Sequence, residues 1–252
     1  MSPVTVSANA LYTDLSAYYD LMCADIDYHS QSHGVRRLHQ LFGNKGQRHL
    51  DLACGTGPHL RHFIDFGYQC SGLDIHQPML DRAKLRCPEA QLSLQNMAEF
   101  TVNEPVDLIT CFLYSIHYSA SIKMLTACIN RAYHALAPSG MLCFNGVDKQ
   151  KINNHSFTQH STHNDGSLFT FRSGWNYEGT GEQQWLKLRI EKQDQGHTQV
   201  WDDQHPMVAV SFNELVTVLQ PYFDVHIFEH DYHTITPWDK KSGNAIFVCI
   251  KK

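Results

Sequence analysis

The sequence predicts an α/β fold, a mostly parallel sheet of seven strands with helices on both faces. Three observations carry this. Short apolar runs alternate with helix-periodic segments from residue 48 to residue 146. One of these runs, His49-Leu-Asp-Leu-Ala-Cys-Gly-Thr-Gly57, passes from a strand through a glycine-rich turn into a segment that begins at Pro58. After residue 150 the period changes to two, which points to a separate antiparallel unit.

The elements follow in order. Residues 11–42 read as mostly helical, with Leu11, Leu15, Tyr18, Tyr19 and Met22, then Val35, Leu38, Leu41 and Phe42, at helical spacing. Strands are expected at 48–53, 69–74, 91–95, 106–112 and 140–146. Helices are expected at 58–66, 78–86 and 121–136. The last repeats Ile122, Leu125, Ile129, Ala132, Tyr133 and Leu136 as one buried stripe and stops before Pro138 and Gly140. Asn153–Gly166 is polar and reads as a mobile loop. Period-two segments near 167–177, 183–193 and 198–209 then form a small antiparallel sheet inserted after strand five. Ser211 and Glu214 form a capping box for a helix through about 220. Strands at 224–229 and 245–251 complete the sheet. The organisation expected is lid helices and a cofactor-binding core over 1–150, the inserted sheet over 151–210, and the rest of the core over 211–252.

The chain has 252 residues and a formal charge of −5, without a basic run, which disfavours a dedicated nucleic-acid binder. Met-Ser-Pro-Val-Thr carries no leader pattern, and no apolar run approaches membrane-spanning length. Eight cysteines are scattered without a Cys-x-x-Cys pair, as expected for reduced thiols in a cytoplasmic protein. The 17 histidines are dispersed, so no metal site is expected, although His29/His33 and His226/His230/His233 could each approach.

The glycine turn narrows the ligand. Gly55 and Gly57 let a ligand approach the main chain. Asp74, at the end of the second strand, can accept both hydroxyls of a ribose. Asp51 precedes the turn, and Pro58-His59-Leu60 replaces a third glycine. An acid there disfavours phosphate and favours a cation. The ligand that fits carries a ribose and an ammonium but no phosphate.

Asp51-Leu-Ala-Cys-Gly-Thr-Gly57 resembles the first motif of class I S-adenosylmethionine-dependent methyltransferases, whose fold is Rossmann-like. Gly72-Leu-Asp-Ile75 resembles the second. Gln95-Asn-Met97 lies where that family has Gly-Asp-Met. Val106–Phe112 resembles its fourth strand, and Leu136-Ala-Pro-Ser-Gly140 its Leu-x-Pro-Gly-Gly turn. Tyr19-Asp-Leu21 and Asp203-x-His205 extend the likeness to amino-sugar N,N-dimethyltransferases. The resemblance implies S-adenosyl-L-methionine as cofactor. Asp51 and the Ala53 carbonyl would hold the ammonium, with Cys54, Gly55 and Gly57 hugging the ligand. Asp74 would hold the ribose, and Ile75 and Met79 would sandwich adenine. Asn96 would accept from the adenine amine beside Met97, and Cys111 and Phe112 would line the methionine arm. Tyr19 would act as a lid and catalytic residue.

On the acceptor side, His117 follows strand four and is the candidate base. Tyr28, of the aromatic N-terminal helices, is a candidate substrate contact, as is His117. Trp201, Asp203 and His205 share one strand face and are candidate substrate contacts. Neither a Pro-Cys pair nor an Asn/Asp-Pro-Pro-Tyr segment follows strand four, where Phe112-Leu-Tyr-Ser115 stands instead. Methylation of nucleic-acid bases is thereby disfavoured. The expected function is methyl transfer to N or O of a small-molecule acceptor by a monomer or homodimer. The alternatives are a cofactor-binding sensor or partner subunit without transfer, or an RNA or protein methyltransferase.

Overall fold

The computed structural model describes residues 10–13 and 15–252, together with the backbone of Val4–Thr5. The remaining positions of the amino-terminal stretch read above for a leader lie outside the described residues. The backbone of β1 (Val4–Thr5) is followed by two 3-10 turns, a short α1 (Tyr19–Met22) and α2 (Tyr28–Phe42). The core then runs β2 (Arg48–Leu52), α3 (Pro58–Asp65), β3 (Gln69–Asp74), α4 (Gln77–Arg86), β4 (Gln91–Leu94), β5 (Val106–Cys111), α5 (Ile122–Ala135) and β6 (Leu136–Val147). Next come β7 (Thr158–Asn164), β8 (Ser167–Tyr177), β9 (Gln183–Asp194) and β10 (His197–Val208). The chain closes with α6 (Phe212–Leu219), β11 (Phe223–Glu229) and β12 (Asn244–Lys251).

Two sheets form. The larger has seven strands in the order β11-β12-β6-β5-β2-β3-β4, with β11 and β12 antiparallel to their neighbours and the rest parallel. Chain order reverses direction between β5 and β2. Loops leaving the carboxyl ends of these strands therefore diverge and open a crevice, the usual place for a ligand in such sheets. The smaller sheet, β1-β10-β9-β8-β7, is antiparallel except for its β1 edge.

Local chemistry accounts for the element ends. Asp27 caps α2 by accepting from the Ser30 amide (2.9 Å), and Ser121 caps α5 by accepting from the Met124 amide (3.2 Å). Both halves of the Ser211–Glu214 capping box are made. One apolar layer packs α5 and α6 on the sheet through Leu125, Ile129, Phe144, Phe212 and Phe247. The opposite layer packs α2 and α3 through Val35, Leu38, Leu60 and Phe63. A third cluster joins Leu11 and Leu15 to Phe169, Phe171, Leu188 and Ile190 of the small sheet.

The 11–42 segment is mostly helical, as expected, with the turn 23–27 separating α1 from α2. One expectation changes. The mobile loop expected at Asn153–Gly166 contains β7. Its residues are polar because it is an edge strand, paired only with β8 and largely in solvent. Asp165 and Gly166, at φ 48° and 78°, make the tight Asp-Gly hairpin that positions it.

Candidate active site

The turn after β2 holds three left-handed residues, Ala53 (φ 53°), Gly55 (φ 54°) and Gly57 (φ 79°). Ala53 is the unusual one, since a Cβ disfavours that conformation. Asp74 fixes the turn from β3. Its Oδ2 accepts from the Gly55 amide (3.0 Å) and its Oδ1 from the His76 amide (2.9 Å). Burial raises the Asp74 carboxyl, and these amides oppose the shift. Both oxygens keep lone pairs for a diol.

Asp51 is 2% exposed. Its Oδ1 accepts from the Thr110 hydroxyl (2.6 Å), and among the described residues no cation pairs with it. Burial pushes its carboxyl up to about 7. A buried acid without a counterion is costly unless a cation arrives or it stays protonated. Behind it the polar string continues. The His49 Nε2–H donates to Thr110 Oγ (2.7 Å), which requires the hydroxyl proton to face Asp51. The Cys70 thiol then faces His49 Nδ1 at 3.5 Å. Sequence reasoning missed His49 and Thr110, although their alternation with Asp51 along paired strands was the available signal.

Other expected cofactor contacts divide. Ile75 lies 58% exposed beside Asp74, and Leu94, the cross-strand partner of Asp74, is 56% exposed. Tyr19 lies over the turn, with its ring and hydroxyl 3.8 Å from where a Gly55 Cβ would stand. Met79 is buried beneath the same turn. Asn96 Oδ1 accepts from the Ala98 amide (2.9 Å), which orients the side chain and leaves the oxygen's second lone pair and the NH₂ group for a ligand. The Cys54 thiol packs against Gly72 and Cys111 packs in the α5 layer, so their backbones are what they offer a ligand. Met97 also packs in that layer. Phe112 lies on the opposite face, against His59.

The N-terminal segment closes over this turn. Asp20 receives Thr56 Oγ (2.6 Å), Arg86 (2.9 Å) and Arg82 (3.2 Å). Burial raises the Asp20 carboxyl, but the Thr56 bond and the two arginines outweigh it and hold it low.

On the acceptor side, the Trp201–Asp203–His205 row faces inward. Trp201 meets Tyr18, and Asp203 and His205 are buried. His205 lies at the centre of a hydrogen-bonded line. Its Nε2–H donates to Asp203 (2.9 Å) and its Nδ1 accepts from the Tyr118 hydroxyl (2.5 Å). Tyr118 in turn accepts from the Tyr12 hydroxyl (2.6 Å), and the Tyr12 ring stacks on His76 beside Asp74. The line therefore runs from the side of Asp74 to the inserted sheet. Burial would raise Asp203, but His205 holds it low, whereas burial raises Tyr118 well above the usual phenol range.

His117 does not fit the base role. It is fully buried, its Nδ1–H donates to the Val208 carbonyl (3.0 Å), and its Nε2 accepts from the Val147 amide (3.0 Å). Burial lowers it to about 4. No lone pair remains for a proton, and its work is to tie β6 to β10. Tyr28, at the start of α2, packs edge-on to His59 of α3 and is not among the residues that line the cleft between the turn after β5 and the inserted sheet. That cleft, of about 560 Å³, has Tyr114 and Trp175 in edge contact on its wall. Leu113 and Tyr114 are consecutive left-handed residues (φ 52° and 61°), and the Tyr114 amide is held by Asn145 (3.1 Å).

The glycine turn, Asp74 and the strand-five turn fall within one recognised segment. Residues 50–140 match the family model of a methyltransferase domain. Relatives extend the match to this domain's flanks. The chain is 31% identical over 144 residues to dTDP-3-amino-3,6-dideoxy-alpha-D-glucopyranose N,N-dimethyltransferase of Streptomyces fradiae, covering 56% of each chain. It is 32% identical over 97 residues to dTDP-4-amino-2,3,4,6-tetradeoxy-D-glucose N,N-dimethyltransferase of Saccharopolyspora spinosa, covering 38% of this chain and 39% of that one. The matched region spans about half or less of these curated relatives. Among solved structures, Streptomyces venezuelae DesVI superposes with a TM-score of 0.82 at 22% identity, over 95% of this chain and 99% of its own. SAM-bound CalS10, an amino pentose methyltransferase from Micromonospora echinaspora, superposes at 0.79 and 18%, over 98% and 100%. At those identities the likeness is one of fold. The methyltransferase domain and its surroundings resemble S-adenosylmethionine-dependent amino-sugar methyltransferases.

Proposed function

We propose that this protein transfers the methyl group of S-adenosylmethionine to the amine nitrogen of a small acceptor, with a nucleotide-linked amino sugar the class favoured by its relatives' names. The observation that carries the reading is the pair of acids at the glycine turn: Asp51, buried with no cation among the described residues, and Asp74, clamped by two amides with lone pairs free. A ligand bearing an ammonium and a ribose satisfies both. When bound, the cofactor supplies a methyl on a sulfonium, a good leaving group already.

The chain's own residues then have three tasks. Asp51, Asp74, Ile75 and Asn96 hold the donor. Tyr19 and the Asp20 latch cover it and exclude water. The line Tyr12–Tyr118–His205–Asp203 manages the acceptor's proton. An amine attacks only when neutral. Tyr118 takes a proton from the acceptor ammonium as it passes its own to His205 Nδ1, and Asp203 stabilises the imidazolium. The Tyr114–Trp175 cleft accommodates the rest of the acceptor.

The test is incubation of the purified protein with isotopically labelled S-adenosylmethionine and dTDP-3-amino-3,6-dideoxyglucose, in parallel with a metabolite extract, followed by mass spectrometry. Labelled N-methyl product in either arm supports the reading. Binding of S-adenosylhomocysteine without labelled product in either would favour the sensor alternative. Absence of binding would remove the cofactor assignment.

A further inference from the structure

We infer that Asp51 acts as a proton-exchanging carboxyl, released to its charged form only when the cofactor's ammonium arrives, and that Thr110 and His49 are the residues that position it. The inference rests on the cofactor reading above and extends it to residues that no motif assigns.

The geometry is a closed line inside the layer between the sheet and α3. Asp51 and His49 lie two residues apart on β2, and Thr110 lies directly across from Asp51 on β5. His49 and Thr110 are both fully buried. The His49 ring rests on Phe63, with centroids 4.2 Å apart, and has no freedom to turn away. Its Nε2–H occupies one lone pair of Thr110 Oγ, so the threonine proton has a single destination, Asp51 Oδ1. Among the described residues, nothing donates to Oδ2. That oxygen is the free end, on the strand that leads into the glycine turn.

The surroundings supply no charge to balance a carboxylate. Asp74 faces it from the end of β3, Cys70 from within β3, Cys54 from the turn and Cys111 from β5. His49 on its own strand and His59 on α3 are held neutral by burial. A carboxyl so placed, pushed up to about 7, keeps its proton in the empty site at mildly acidic pH. Binding is then an exchange: the Oδ2–H bond breaks, the proton leaves to solvent, and the carboxylate pairs with the incoming ammonium, which keeps all its protons. Thr110 lowers the cost of ionisation by donating to Oδ1, and His49 holds Thr110 in that orientation.

S-adenosylhomocysteine, which carries the same ammonium without the sulfonium charge, is the probe. Titration calorimetry of the full chain in buffers of different ionisation enthalpy should show about one proton released per ligand near pH 6 and little release at pH 8. Affinity should fall roughly tenfold for each pH unit below about 6. Thr110→Val should raise the midpoint of this profile by about one unit, while Thr110→Ser should restore it. His49→Leu should shift it the same way by less, with His49→Gln, which keeps a donor, closer to wild type. Asp51→Asn should abolish proton release. Tight binding with no proton release and a flat profile from pH 5.5 to pH 8 would overturn the exchange. A Thr110→Val variant that stays folded, binds the probe and keeps the wild-type midpoint would overturn the positioning role. If wild type does not bind the probe at any pH, the cofactor reading fails first and this inference falls with it.

Discussion

Asp74 and His117 show how differently two buried polar residues can be employed. Asp74 is held by two amides and keeps lone pairs for a ligand. Asp74→Ala should weaken S-adenosylhomocysteine binding by about 2 kcal/mol, since a charge-assisted contact to the ribose is lost. Calorimetry at pH 8 checks this; an unchanged affinity would mean Asp74 serves only the turn. His117 gives both nitrogens to the backbone. His117→Ala leaves a buried carbonyl and a buried amide unpaired, so stability should fall by roughly 2–4 kcal/mol in urea unfolding. Turnover per folded molecule should change little. Tyr118→Phe should cost about 1–3 kcal/mol of stability, because it leaves His205 Nδ1 and the Tyr12 hydroxyl without their partner. It should keep cofactor affinity near wild type and lower turnover per folded molecule by about 10² where the acceptor is an ammonium, with recovery at alkaline pH. Identical pH–rate profiles for the two proteins would exclude Tyr118 from proton transfer.

At the scale of elements, the lid is α1 with the turns before it, latched to α4 through Asp20, Arg82 and Arg86. These side chains are about one-third exposed, so each ion pair is worth little by itself. Asp20→Asn should therefore speed dissociation of S-adenosylhomocysteine several-fold but less than about tenfold, the scale of an exposed pair plus the lost Thr56 bond. Raising salt on wild type should reproduce part of the effect. Stopped-flow displacement measures both, and equal dissociation rates would show that the latch does not hold the ligand. Opposite this latch, the same N-terminal segment docks on the inserted sheet through Tyr12, which meets the His205 ring, and through Leu11 and Leu15. The N-terminal segment thus bridges the glycine turn and the inserted sheet.

For the whole molecule, buried titratable groups set the acid limit. Burial keeps His49, His59 and His117 neutral, with His59 lowered to about 3 and His117 to about 4. Their unfolded forms take protons below about pH 6.5 while the folded forms do not, so stability is lost as pH falls through that window. Asp51 and Asp74 act the other way, since burial raises both carboxyls and acid favours folding at these two sites. His39 and His230 are lowered by burial as well, so the histidines outnumber the two carboxyls, and stability should fall between roughly pH 6 and pH 4 by about 1.4 kcal/mol per pH unit for each net proton. Urea midpoints across that range check the slope; stability that rises toward pH 4 would contradict the histidine assignments.

The sequence by itself determined the strand and helix order, the glycine turn with Asp51 and Asp74, the inserted sheet and the shared face of Trp201, Asp203 and His205, which the fold then turned inward. Each is a local property, written as a period, a turn residue or a motif within a few positions. It did not determine what each polar side chain touches. Position after strand four made His117 a candidate base; the fold gave its nitrogens to Val208 and Val147, residues 91 and 30 positions away. Membership of the aromatic N-terminal helices grouped Tyr28 with the substrate residues; packing placed it against His59. Polarity made 158–164 a loop; pairing with β8 made it an edge strand. Tyr12–Tyr118–His205 and His49–Thr110–Asp51 are joined across 106, 87, 61 and 59 positions. Hydrogen bonds of that reach depend on which strands the topology sets side by side. Only the tertiary structure could turn a list of candidate residues into two connected lines, because a donor's partner is decided by distance and direction in space, not by spacing along the chain.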